Sequence, residues 1–163
     1  MDVELSALNA LEIAEKIERN GATFYRRAAG LSSDPDMVLL FVQLAQWEMR
    51  HVKVFQEMKK RCLHQGRYDA SPGHGAGDLL DARVMAGLAV FGMQKDPSRD
   101  LTGCESRPDV LRMAIDKERD SIVFYSGLRA FVPQVGDQKA IEDVIAEEMK
   151  HVRILVQSLE QTA

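Results

Sequence analysis

The sequence predicts an all-α protein: an antiparallel four-helix bundle of two repeated helical hairpins, joined by a long crossover that contains a short helix. Three observations carry this. The 163 residues are rich in Leu, Ala, Glu, Lys, Arg and Met and include only 5 prolines, a composition that favours helix. Apolar side chains recur at helical spacing over four long stretches. The chain also repeats itself at an offset of 100 residues: Leu11, Ala14, Glu18-Arg19, Phe24-Tyr25, Glu48-Met49 and His51-Val52 return as Leu111, Ala114, Glu118-Arg119, Phe124-Tyr125, Glu148-Met149 and His151-Val152.

The first helix is predicted over about 6–30, with Ser6 as N-cap, Gly30 as stop, and Leu11, Ala14, Ile17, Phe24 and Ala28 on its inner face. The second runs over about 35–63: Pro35 suits a first turn, and Phe41, Leu44, Phe55 and Met58 form a stripe. Gly, Ser and Pro between 66 and 77 mark a loop; 78–93 is apolar and reads as a short helix against the bundle; 95–103 is loop again. The third helix starts at Ser106-Arg107-Pro108, a cap followed by proline, and ends before Pro133. The fourth runs over about 137–159, with Ile141, Val144, Val152 and Leu155 inward. The connections at 31–34 and 133–136 are short, so each joins antiparallel neighbours. The whole reads as one domain, 1–163, with hairpin one at about 6–63, the crossover at about 64–105 and hairpin two at about 106–161.

Composition excludes several functions. A net charge of −4 gives no reason to expect nucleic acid or an anionic membrane as partner. The N-terminus, Met1-Asp2-Val3-Glu4, lacks the basic and apolar regions of a signal peptide. The longest apolar run, Val84 to Met93, is ten residues, too short for a bilayer. It exceeds what a short crossover helix needs, which predicts a homodimer or larger homo-oligomer. Cys62 and Cys104 form no Cys-x-x-Cys pair, so they read as free thiols and the location as cytoplasmic.

The chemistry lies in the repeat. Glu48 and His51, three apart on a helix, share a face between Leu44 and Phe55; Glu148 and His151 sit the same way between Val144 and Leu155. Glu18 lies ~18 Å and Glu48 ~20 Å from the first turn; Glu118 and Glu148 lie ~21 and ~17 Å from the second. Each Glu therefore meets its hairpin partner at one level, and if the hairpins pack by the repeat symmetry all four carboxylates converge. A single Glu-x-x-His is usually a solvated pair; two copies, each with its own Glu at matching depth, are not. Buried carboxylates cost several kcal/mol unless compensated. Four of them carry −4, and two divalent cations balance it. The candidate metal ligands are Glu18, Glu48, His51, Glu118, Glu148 and His151, and such a donor set suits iron or manganese, with zinc as a substitute.

On these residues the chain resembles the di-iron proteins of the ferritin-like superfamily, whose bundles take one Glu from each of two helices and Glu-x-x-His from each of the other two. The Glu-to-Tyr spacing, Glu18 to Tyr25 and Glu118 to Tyr125, and the internal symmetry resemble its rubrerythrin branch. The resemblance implies two iron ions, bridged by Glu48 and Glu148, with Glu18 and Glu118 more terminal. It implies reaction with O2 or H2O2 and an electron donor that the sequence does not name. Two departures stand out. The cysteine-held iron centre of rubrerythrins has no counterpart here, and Ser121, with repeat mate Gly21, stands where they carry an additional Glu.

Tyr25 and Tyr125 read either as core aromatics or as partners of a ligand carboxylate and electron relays. Glu15 and His64 read as solvated, His74 as a surface histidine, and Trp47 as packed at a helix or subunit interface. Three uses of the site stay open: a peroxidase or oxidase, a ferroxidase that stores or delivers iron, and a non-enzymatic bundle stapled by two metal ions.

Overall fold

The computed structural model describes residues 7–65, 100–132 and 134–162. The predicted crossover helix, the apolar run Val84 to Met93, the Ser6 cap and His74 lie outside these residues. Helix α1 spans Ala7–Leu31, α2 Pro35–Gln65, α3 Arg107–Phe131 and α4 Val135–Glu160. No strand occurs among the described residues, and no helix among them is long and apolar enough to cross a membrane.

Helix ends follow local chemistry. At the first turn the Asp34 carboxylate accepts from the Asp36 N–H at 3.0 Å, and Val38 N–H donates to Asp34 O at 2.9 Å, which starts α2. Ser106 and Asp109 form a reciprocal capping box at the start of α3, with a proline in its first turn. α4 begins two residues before the predicted Asp137, because Asp137 is buried there and is gripped by Arg61 at 2.6 Å. α2 runs two residues past the predicted Leu63; Cys62, 3% exposed, holds its last turn in the core.

α1 packs along α2, and α3 along α4; the hairpins meet through α1 with α3 and α2 with α4. An ion pair ties the hairpins at each end: Arg107 to Asp34 at 2.8 Å, and Arg61 to Asp137 at 2.6 Å.

The core is divided into two apolar plugs. One joins Leu11 and Ala14 of α1 to Phe55 and Met58 of α2, Phe124 and Tyr125 of α3, and Val144 of α4. The other joins Phe24 and Tyr25, Phe41 and Leu44, Leu111 and Ala114, and Leu155. Each helix passes from one plug to the other through its Glu or Glu-x-x-His. The repeat exchanges the plugs, since Leu11 packs with Phe124 while Leu111 packs with Phe24. The symmetry is imperfect: Val52 is buried, whereas Val152, predicted to face inward, is half-buried.

Candidate metal centre

Between the plugs the structure brings together all six predicted ligands. Glu18, Glu48, His51, Glu118, Glu148 and His151 are each no more than 4% exposed. Their donor atoms form two overlapping groups, each within 4.8 Å: Glu18, Glu48, His51 and Glu148, and Glu48, Glu118, Glu148 and His151. Glu48 and Glu148 belong to both groups.

Both imidazoles turn Nδ1 inward. His51 Nδ1 lies 2.8 Å from Glu148 Oε1 and 3.4 Å from Glu18 Oε2. His151 Nδ1 lies 2.8 Å from Glu148 Oε2, 3.4 Å from Glu48 Oε1 and 3.6 Å from Glu118 Oε1. The rings stack with centroids 5.8 Å apart.

These contacts are close but misdirected. Glu18 Oε2, Glu48 Oε1, both Glu148 oxygens and both Nδ1 atoms are buried without a hydrogen-bond partner of proper geometry. Buried polar groups are almost always satisfied. Six that converge on one spot without satisfying one another fit a positive guest that would receive them all. Four carboxylate donors and two imidazoles are a chemically sound shell for two divalent ions.

Electrostatics describe the same unmet demand. Burial, then the charge of Glu18, pushes the Glu48 carboxyl well above its ordinary range. Burial and the charge of Glu148 push Glu118 up to about 8. For Glu148, burial and Glu18 also press upward, but His151 and His51 beside it prevail and hold it low. Burial disfavours charge on the imidazoles, yet Glu148 and Glu18 hold His51 up at about 11, and Glu118 and Glu148 hold His151 at about 9.

The tyrosines cross between hairpins. The Tyr25 hydroxyl donates to Glu118 Oε1, and the Tyr125 hydroxyl to Glu18 Oε1 at 2.5 Å. Each tyrosine thus fixes the glutamate of the opposite repeat while its ring sits in an apolar plug. Burial, with the neighbouring carboxylates, raises both phenol pKa values. Glu15 stays outside the centre: Arg19, Gln56 and Lys59 surround its carboxylate within 2.8–3.0 Å. His64 is exposed at the end of α2.

One neighbour, Glu147, escaped the sequence reading, and two that it named, Trp47 and Gly21, take on further roles. Glu147 Oε2 lies 3.0 Å from the outer nitrogen of His51, Nε2. Its repeat mate Trp47 stacks on the His151 ring, centroids 5.0 Å apart and 8° from parallel, and so packs against a candidate ligand as well as between helices. A Cβ on Gly21 would meet Glu48 Oε2 at 2.7 Å, so only glycine leaves that carboxylate its place. The available signal was the mismatch within the repeat, Gly21 against Ser121 and Trp47 against Glu147, at positions beside matched ligands.

No protein-family model matches this chain, and no curated protein sequence matches it. Among solved structures it is similar to a protein from Thermotoga maritima described as a ferritin-like diiron-carboxylate protein, with 100% of both chains covered, a TM-score of 0.70 and 20% identity. Full coverage with identity this low is a likeness of fold. The chain has the ferritin-like four-helix-bundle fold, built around a buried cluster of four glutamates and two histidines.

Proposed function

We propose that this chain is a redox-active di-iron carboxylate protein of rubrerythrin-like type that reacts with O2 or H2O2. The observation that carries the reading is the pair of overlapping buried donor groups, four oxygen donors and two Nδ1 atoms between two apolar plugs. In it, Glu48 and Glu148, common to both groups, would be shared by the two ions, Glu18 and Glu118 would each serve one, and His51 and His151 would complete the two shells. Bound there, a pair of irons would supply a two-electron change. The chain's own part is to hold the donors, through Tyr25 on Glu118 and Tyr125 on Glu18, and to keep bulk water out with the plugs. Ser121, where rubrerythrins carry an additional Glu, bonds its own helix at Lys117 O, and the reading leaves reduction to a separate electron donor.

The test is to load the protein anaerobically with Fe(II), verify two irons per chain, and add H2O2 or O2 in steps. The expected result is rapid appearance of near-ultraviolet ferric absorption. Bound iron that stays ferrous under both oxidants would overturn the redox reading. In that case a fall in melting temperature on metal removal would mark the ions as structural staples.

A further inference from the structure

The repeat treats its ligands alike but treats the outer faces of its two histidines differently. Each imidazole aims Nδ1 at the carboxylate cluster, so for each to give a lone pair inward, its proton must sit on Nε2. At His51 that outer nitrogen has a partner placed to receive it: Glu147 Oε2 at 3.0 Å. Glu147 is itself half-exposed, with 46% of its side chain accessible, and among the described residues no Lys or Arg pairs with it. At His151 the equivalent position of the repeat is Trp47. It lies flat on the ring at 5.0 Å and 8°, which fixes the plane but adds no acceptor and no charge.

A carboxylate behind a ligating histidine fixes the tautomer, orients the ring and makes the inner nitrogen a stronger donor; losing such a partner typically costs ~10–100-fold in metal affinity. A stacked indole supplies orientation alone. We infer that the centre is unequal: the His51 half, backed by Glu147, takes up a metal ion first and holds it more tightly than the His151 half, with Glu147 as the positioning residue that creates the difference. This rests on the metal-binding reading above. Each half takes the two shared carboxylates and one of its own, so the ligand count gives neither half an advantage, and the difference at 47 and 147, behind the histidines, decides the order.

Cobalt(II) is the probe, titrated anaerobically against a competing chelator. Its visible absorption reports binding to both halves without any turnover. The unaltered chain should show two steps separated by about 10–100-fold. Glu147→Gln keeps size and removes the charge; it should weaken the tighter step by that factor, so that the steps draw together, while the weaker step stays within about twofold. Trp47→Phe keeps an aromatic ring over His151 and should leave the tighter step where it was. Helicity and melting temperature of each metal-free variant confirm the fold, and the two-step isotherm of the unaltered chain is a test needing no variant. Two equal steps in that chain would overturn the inequality while leaving the metal centre standing, as would a Glu147→Gln isotherm that does not change or in which both steps weaken alike. Failure of the unaltered chain to bind cobalt at all would overturn the metal reading itself, and this inference with it.

Discussion

Gly21 sits in the middle of α1, where glycine costs about 1 kcal/mol relative to alanine. Its place is explained by the Glu48 oxygen 2.7 Å from where a Cβ would stand. The atom met is the far end of the Glu48 side chain, which must swing aside. Gly21→Ala should therefore displace that carboxylate, weaken metal loading and gain no melting temperature from its better helix propensity. Gly30→Ala, where a Cβ meets nothing within 4 Å, should raise it slightly. Calorimetry of the two variants compares them directly, and equal shifts would remove Gly21 from the site. The tyrosines offer a second test at this scale. Tyr25→Phe leaves Glu118 without its donor, and Tyr125→Phe does the same to Glu18. Leaving a buried acceptor without its donor costs about 1–3 kcal/mol, so each variant should be less stable by that order in urea titration. Because the bonds cross the repeat, Tyr25→Phe should disturb the metal shared with Glu118 and not the one near Glu18. The clustering of the Glu-x-x-His pairs was legible because side chains three apart on a helix must share a face. Glu147 was not: position 147 has no matching residue at 47, and a search for symmetry passes over what breaks it.

The helices were readable because their ends are written in short-range chemistry. Ser106 and Asp109 cap each other as the Ser-Arg-Pro run implied, and Ser106→Ala should cost about 1 kcal/mol, seen as a lower midpoint in thermal unfolding. Ends fixed by tertiary partners were less legible. α4 starts early because Arg61, 76 residues away in sequence, holds Asp137, and no local pattern announces that pair. Val152 follows the same logic. Periodicity put it on the inner face, but how deep that face lies depends on the neighbouring helix.

Charge sets the behaviour of the whole molecule with pH. His51 and His151 have folded-state pKa values raised to about 11 and about 9, and Glu118 and Glu48 are raised as well. A group with a raised folded pKa contributes stability that is fully present below its unfolded value and lost as pH climbs through the folded one. The metal-free protein should lose stability from about pH 5 upward, through about pH 8 for Glu118 and about pH 9 for His151 and on to about pH 11 for His51. Metal binding needs those same atoms deprotonated, so the stabilisation on adding metal should grow over that range. At neutral pH, two divalent ions should displace about three protons or more, from His51, His151 and Glu118, with Glu48 raised in the same direction. Calorimetric titration in buffers of different ionisation heat counts them. Release of fewer than about two would show that the cluster is not the binding site.

The interlocked plugs carry a consequence for how the chain reaches this state. Both plugs draw on both hairpins, evenly in the one around Leu11 and mostly from the first hairpin in the one around Phe24, and residues such as Leu11 and Phe124 must meet across more than a hundred positions of chain. Neither plug is complete until both hairpins have formed. Loop closure comes before the reward for contacts this distant, which slows folding relative to a bundle of local neighbours. The acidic cluster closes only when both plugs do. Folding should therefore be all-or-none, with far-ultraviolet circular dichroism and the fluorescence of the single tryptophan, Trp47, following one common curve in urea.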